Sequence, residues 1–321
     1  MSYKEPQGQI RAKRQSGPTV LAFGGNALLP DTADPDFQNK AADAFAFAVM
    51  RLIAGKEGMV LVHGNGPQVG MILLRIDATR SRMPPESLDV LVAETQGSIG
   101  YLLCRALRNR IPNREVAALL TQVLVDAKDP GFVAPSKPVG PFYSRSVAGE
   151  LERKNGWTMI ESPGRGWRRV VPSPRPREIV ELYTIAHAVS LGHLVIAGGG
   201  GGIPVIRNEL GGLQGVEAVI DKDLTASLLA VAIDAMRFVI LTNVPHISTG
   251  YGTEKESPIA RMSVADARRY LAAGEFPPGS MGPKVEASVS YVESTGRCAL
   301  VTNLEKLSEA LQGKEGTRIV A

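Results

Sequence analysis

Three lysines stand in segments stiff enough to aim them. Lys137 lies between prolines in Pro135-Ser136-Lys137-Pro138-Val139-Gly140-Pro141. Lys222 lies between acids in Asp221-Lys222-Asp223, and Lys284 follows the rigid run Pro277-Pro278-Gly279-Ser280-Met281-Gly282-Pro283. Ammonium groups held this way suit phosphoryl transfer, where catalysis is mostly positioning and charge neutralisation. Two of them also have a plainer reading: a solvated turn for Asp221-Lys222-Asp223, and an ordinary surface charge for Lys284.

Glycines form the second chemical signal. Gly24-Gly25-Asn26 follows a β-branched run, as does His63-Gly64-Asn65-Gly66-Pro67-Gln68-Val69-Gly70. Paired glycines let a chain turn sharply and turn backbone N–H groups toward an anion, although a Gly-Gly pair is also an ordinary turn. The second segment is not a dinucleotide fingerprint, because its spacing is G-x-G-x-x-x-G and no acidic residue ends a strand about 20 positions on. Gly198-Gly199-Gly200-Gly201-Gly202 is either a hinge or a phosphate-cradling loop; no Walker-type P-loop occurs. Gly164-Arg165-Gly166-Trp167-Arg168-Arg169 reads equally as a cover over anions and as a solvated positive face pinned by Trp167. Neither G-x-S-x-G nor a Ser/His/Asp or Cys/His signature is present. Their absence fits an acceptor that is already ionised, such as a carboxylate, which needs no general base.

The elements that must hold these groups alternate. Strand-like runs occupy 20–23, 60–63, 117–124, 194–197, 218–220, 238–242, 298–301 and 317–320. Helical runs occupy 36–54, 177–191, 224–235 and 283–293, and Ser263-x-x-Asp266 reads as a capping box before 267–273. Alternation of this kind implies an α/β fold with a largely parallel sheet covered on both faces, whose strand ends bind ligands. Two stretches break the rhythm: 125–176, read as an inserted lid, and 243–262, read as a polar connection. The chain has 321 residues with a formal charge of +4, and residues 1–16 carry three of those four charges. A nearly neutral body argues against nucleic acid as a partner. Residues 1–17 are expected to be a disordered basic leader rather than a secretory signal. No apolar stretch reaches the ~18 residues of a membrane span. With two cysteines, Cys104 and Cys298, no disulfide scaffold is expected, and the thiols suit a cytoplasmic location.

In this order the segments resemble the carbamate kinases of the amino-acid-kinase superfamily. The matching runs are GGNALL at 24–29, HGNGPQVG at 63–70, TQGSIGYLL at 95–103, PSKPVGPFY at 135–143, GRGWRRVVPSP at 164–174, GGGGIPV at 199–205, GVEAVIDKD at 215–223 and PGSMGPKVEA at 278–287. The resemblance implies a three-layer α/β/α sandwich around a mainly parallel sheet of about eight strands, a small projecting subdomain at about 125–176, and a homodimer. It implies an acceptor-binding part at 18–212 and a nucleotide-binding part at 213–321. The implied reaction is reversible phosphoryl transfer between ATP and carbamate with Mg²⁺, giving ADP and carbamoyl phosphate, often run toward ATP in arginine fermentation.

By the same resemblance Gly24, Gly25, Asn26, Gly64, Asn65 and Gly66 line the acceptor and the migrating phosphoryl group. Lys137, Lys222 and Lys284 neutralise phosphates, Asp223 orients the lysines, and Gly199, Gly200, Gly201 and Gly202 shape the site between the ligands. Tyr251, Gly252 and Met281 lie near the nucleotide. The chain departs from the pattern at Thr242-Asn243-Val244-Pro245-His246, where relatives often read T-D-V-D, at Glu161-Ser162-Pro163, and in an apparent insertion at 211–214. A paralogue serving another small carboxylate or purine and allantoin breakdown, and a non-catalytic sensor, are the competing expectations.

Overall fold

All five residues of the strand Thr19–Phe23 are buried, and so are all five of Met59–His63. A strand covered on both faces belongs inside a sandwich, the usual setting of parallel pairing. The computed structural model describes residues 17–24, 35–50, 52, 53, 55–277 and 279–321, so most of the expected leader lies outside the described residues. Over these residues the main sheet has eight strands. From edge to edge they are Arg261–Ser263, Thr317–Val320, Ala299–Thr302, Arg237–Leu241, Thr19–Phe23, Met59–His63, Leu194–Ile196 and Val116–Ala118. Only the pairing of Thr317–Val320 with Ala299–Thr302 is antiparallel.

The three layers follow from side-chain alternation along each strand. Val20, Ala22, Val60, Val62, Phe238 and Ile240 face one core, closed by the helices Lys222–Ala232 and Met281–Thr295 through Leu229, Ala230, Val285 and Tyr291. Leu21, Phe23, Leu61, Val239 and Leu241 face the other, closed by Pro35–Met50 and Leu88–Arg110 through Phe45, Val49, Ile99 and Leu103. The parts expected at 18–212 and 213–321 share this sheet, since Thr19–Phe23 pairs with Arg237–Leu241.

The expected insertion is a small unit of its own. Lys137–Tyr143, Gly166–Val171 and Thr158–Ser162 form a three-stranded antiparallel sheet, and Arg145–Asn155 is its helix. Ser144 Oγ caps that helix by accepting from Val147 N at 3.4 Å, and Gly156 ends it in the left-handed region. The cap expected at Ser263 forms, its Oγ accepting from Asp266 N at 3.0 Å, but Asp266 Oδ2 accepts from the Ser263 hydroxyl at 2.8 Å. The helix opened is Val264–Ala272, which starts three residues before the expected 267–273.

Several local expectations are corrected. The run 117–124 is two strands in two sheets, Val116–Ala118 and Gln122–Val125. It breaks where Thr121 N donates to Gln96 Oε1 at 2.8 Å rather than to a neighbouring strand. Residues 218–220 are buried but unladdered; Val219 N donates to Pro172 O at 2.9 Å. The helix expected at 177–191 opens instead with the strand Pro176–Ile179, and the helix itself is Leu182–Ser190. Within 243–262, Ile247–Thr249 and Ser257–Ile259 form a hairpin, and 211–214 belongs to another, between Ile203–Arg207 and Leu213–Gly215. Among the described residues no helix is long and apolar enough to cross a membrane.

His63 closes its strand with 1% exposure, its Nδ1 lying 3.1 Å from Gly64 O. Burial lowers its pKa from 6.5 to about 4, the contact with Gly64 O opposing this only in part. Between those two values the unfolded chain takes up a proton that the folded ring refuses. Stability therefore rises with pH across this window, by an amount on the order of 3 kcal/mol. Urea unfolding of the wild type at pH 7 and at pH 4.5 is expected to show the loss, and His63→Asn is expected to show a smaller one.

Candidate active site

The helix Lys222–Ala232 starts where Asp221 caps it, Oδ1 accepting from Asp223 N at 2.9 Å. The cap fixes the backbone that carries Lys222 and Asp223. Asp223 is 2% exposed and is shared by two ammonium groups: Oδ1 accepts from Lys222 Nζ at 2.7 Å and Oδ2 from Lys284 Nζ at 2.9 Å. Lys284 rides on the first turn of Met281–Thr295, which is tied to the first helix by Ser227 Oγ donating to Ala287 O at 2.8 Å. The third lysine arrives from the small sheet. Lys137 opens the strand Lys137–Tyr143, and its Nζ lies 2.6 Å from Asp221 Oδ2.

The electrostatics follow from burial and proximity. Burial favours the neutral acid at Asp223, but Lys222 and Lys284 outweigh it and hold the carboxyl well below the usual range. Burial pushes Lys222 down, and the like charge of Lys284 adds to this against the pull of Asp223 and Asp221. Burial also acts to lower Lys284, yet Asp223 more than offsets it and keeps that group above the ordinary lysine value. Three ammonium groups meet two carboxylates, so one positive charge is in excess. A partly desolvated cluster of this sign attracts an anion.

These groups line one cleft of about 330 Å³. Lys137, Lys222, Lys284, Asp221 and Asp223 share it with Gly24, Gly64, Asn65, Gly66 and Gly200, and with Thr242, Asn243, Gly279 and Ser280. Gly24, Gly64 and Thr242 directly follow strands of the main sheet, at the carboxyl edge where α/β sheets bind ligands. The three lysine segments and the glycine loops singled out in the sequence are thus brought together. Gly25 and Asn26 lie outside the described residues. Tyr251, Gly252 and Met281 do not line this cleft, and Tyr251 is 59% exposed.

The glycine run packs tightly against protein as well as bordering the cleft. At Gly200, φ is +68° and a Cβ would overlap the Asn65 amide; at Gly201, φ is +94° and a Cβ would overlap Ile220 O. Gly198, Gly201 and Gly202 turn their N–H groups inward, to Thr121 Oγ1, Gly198 O and Gly199 O. Gly200 is the residue of the run that lines the cleft, with Gly199, Gly201 and Gly202 shaping the wall behind it.

Two residues that carried no assigned role hold the loops in place. Asn65 Nδ2 donates to Thr95 Oγ1 at 2.8 Å, and Gln96 Nε2 donates to Gly199 O at 2.9 Å. Both project from Leu88–Arg110, so one helix anchors two strand-end loops. The available signal was a polar Thr-Gln pair inside an otherwise apolar helical face. Asp221 carries no separate signal in the sequence, because its neighbour Asp223 suffices to explain a lysine between two acids.

The lid arginines pin the small sheet and do not line the cleft. Arg168 Nε donates to Gly140 O at 2.8 Å; the Arg168 and Arg165 guanidinium carbons lie 5.2 and 4.4 Å from the Phe142 ring centre. Arg169 covers Trp157 at 4.5 Å and pairs with Glu217 at 3.2 Å. Trp167 is covered by Arg145, at 4.0 Å.

Comparison with known proteins agrees with this geometry. The profile described as "Amino acid kinase family" matches residues 17–303. The carbamate kinase of Pyrococcus horikoshii is 46% identical over 310 residues, covering 94% of this chain and 98% of that protein. The carbamate kinase-like protein YahI of Escherichia coli is 43% identical over 309 residues, covering 94% and 98%. Among solved structures, carbamate kinase from Giardia lamblia bound to AMP-PNP superposes with a TM-score of 0.86 at 39% identity, covering 95% of this chain and 99% of that one. The chain belongs to the amino acid kinase family, and within it to the group formed by the carbamate kinases and their like.

Proposed function

We propose that this protein is a carbamate kinase, moving a phosphoryl group reversibly between ATP and carbamate. The observation that carries the reading is the meeting of Lys137, Lys222 and Lys284 in one glycine-walled cleft. Carbamate already bears a negative oxygen at pH 7, so attack on the γ-phosphorus needs no base. The cleft accordingly has lysines, not a histidine, in its wall. Lys222 and Lys284 neutralise the oxygens of the migrating phosphoryl and leaving phosphate groups. Asp223 fixes the spacing of both ammonium groups before substrate arrives, so little reorganisation is left for the transition state. Gly24, Gly64, Asn65 and Gly66 hold the acceptor side, and Lys137 closes the cleft from the small sheet. In the same reading the acceptor part is 18–212, the nucleotide part is 213–321, Tyr251, Gly252 and Met281 flank the nucleotide, and the protein is a cytoplasmic homodimer working mainly toward ATP.

A Mg²⁺ ion fits these residues in one way only. Both oxygens of Asp223 carry ammonium groups, and Asp221 is bound to Lys137 and to a backbone N–H. Among the described residues no three His, Cys, Asp or Glu side chains cluster as a cage. Nucleotide phosphates, water and the neutral oxygens of Thr242, Asn243 or Ser280 would hold the ion, in keeping with its preference for hard oxygen ligands and retained waters. Bound there, it would supply further charge neutralisation on the phosphates.

ATP formation from ADP and carbamoyl phosphate is the direct test. Turnover is expected with Mg²⁺ and is expected to vanish with excess EDTA; absence of turnover at millimolar substrates would remove the reading. Because YahI is named only as carbamate kinase-like, the forward assay should set carbamate beside acetate and other small carboxylates, with carbamate expected to be preferred. Lys222→Ala and Lys284→Ala are each expected to lower kcat by about 10²-fold or more, as for removal of other electrostatic groups. Near-normal rates in both variants would refute their assignment.

A further inference from the structure

We infer that Asp221 is a positioning residue that sets Lys137 for the acceptor side of the reaction, joining the small sheet to the helix that carries Lys222 and Asp223. The inference rests on the kinase reading for its kinetic consequence, but not for the contact itself. The two oxygens of Asp221 do different work. Oδ1 accepts from Asp223 N at 2.9 Å and starts the helix; Oδ2 accepts from Lys137 Nζ at 2.6 Å. Lys137 and Asp221 are 84 residues apart in sequence and sit on separate structural units. Both line the catalytic cleft.

A lysine side chain has four rotatable bonds and loses much of its rotamer freedom when fixed. Lys137 is still 28% exposed, so packing alone does not immobilise it. Asp221 is only 11% exposed, and its backbone is held by the helix start. The carboxylate is therefore the fixed partner and the ammonium the guided one. Because the same side chain anchors the first turn beneath Lys222 and Asp223, the position of Lys137 is referenced to the other two lysines. Asp223 holds Lys222 to Lys284, and Asp221 holds Lys137 to both.

Asp221→Asn separates the two roles. The amide oxygen still accepts from Asp223 N, while the charge that holds Lys137 is gone. Its effect is compared with Lys137→Met and with the double variant in the ADP and carbamoyl phosphate assay, with a melting temperature for each protein. Asp221→Asn is expected to lower kcat/KM for carbamoyl phosphate by about tenfold, leave KM for ADP within about twofold, and leave the melting temperature unchanged. In the Lys137→Met background it is expected to change the rate by less than about twofold, the non-additivity of residues acting through one contact. Effects that multiply, an equal loss toward both substrates, or an Asp221→Asn enzyme as fast as an active wild type would overturn the inference. A second readout needs no turnover. Acetylation of Lys137, followed by mass spectrometry in the absence of substrates, is expected to run several-fold faster in Asp221→Asn than in wild type; equal rates would overturn the contact. A wild type that labels as expected yet makes no ATP would refute the kinase reading alone.

Discussion

One carboxylate held between two ammonium groups organises this molecule. Asp223 is almost wholly buried, and an isolated carboxylate there would take a proton rather than stay ionised. Lys222 and Lys284 reverse that preference, and the three groups are stable in the cleft only together. Their joint demand fixes two helix starts relative to each other, those of Lys222–Ala232 and Met281–Thr295, and both helices lie on the same face of the sheet. The cluster also remains short of negative charge. A site that is complete as a structure but incomplete as a charge balance is suited to receive phosphate.

The walls obey a different constraint, close approach of backbone. Three loops leave neighbouring strands of the main sheet and must pass within contact distance of one another. Side chains are excluded at Gly199 by the His63 ring, at Gly200 by Asn65, and at Gly201 by the carbonyl of Ile220. The same crowding would leave backbone groups without water, so side chains from other elements satisfy them. Thr121 accepts from Gly198, Gln96 donates to Gly199, and Thr225 Oγ1 donates to Gly201 O at 2.7 Å. The wall is thus a rigid arrangement whose buried backbone groups already have partners.

Much of this was legible in the residues. β-branched runs ending in Gly or Asn gave the sheet and its functional edge, because those residue types have few other uses at that spacing. The three lysines were legible because prolines, acids and glycines around them left little freedom. Elements decided by tertiary contact were not. The run 117–124 has continuous strand character, yet it divides because Gln96, distant in sequence, captures Thr121. Val219 and Ile220 are apolar and line the cleft without pairing in a sheet. The helix Gly66–Thr79 begins inside the segment 63–70, whose glycines and proline read as a strand-end loop. The lid arginines could not be assigned from spacing, since stacking on Phe142 and Trp157 depends on which strands the small sheet pairs.

That small sheet shows how a flexible residue type can be placed with precision. Its own rigidity comes from guanidinium groups lying on aromatic faces, Arg145 on Trp167, Arg165 on Phe142 and Arg169 on Trp157, contacts that retain strength where backbone ladders are short. Its attachment to the body combines an apolar seam, Val139 and Val171 packed with Val69, Leu88 and Leu91, with directional contacts: Tyr143 Oη donates to Asp77 Oδ2 at 2.8 Å, Arg80 Nη1 to Asn155 Oδ1 at 3.1 Å, and Arg169 pairs with Glu217. Burial and the bond to Asp77 both push the Tyr143 hydroxyl upward in pKa, so that bond persists across the working pH range. A stiff unit fixed at several separated points has few ways to shift its first residue, and that residue is Lys137. The arrangement delivers a single charge to the cleft from outside the main sheet, on a unit seated by its own small apolar core.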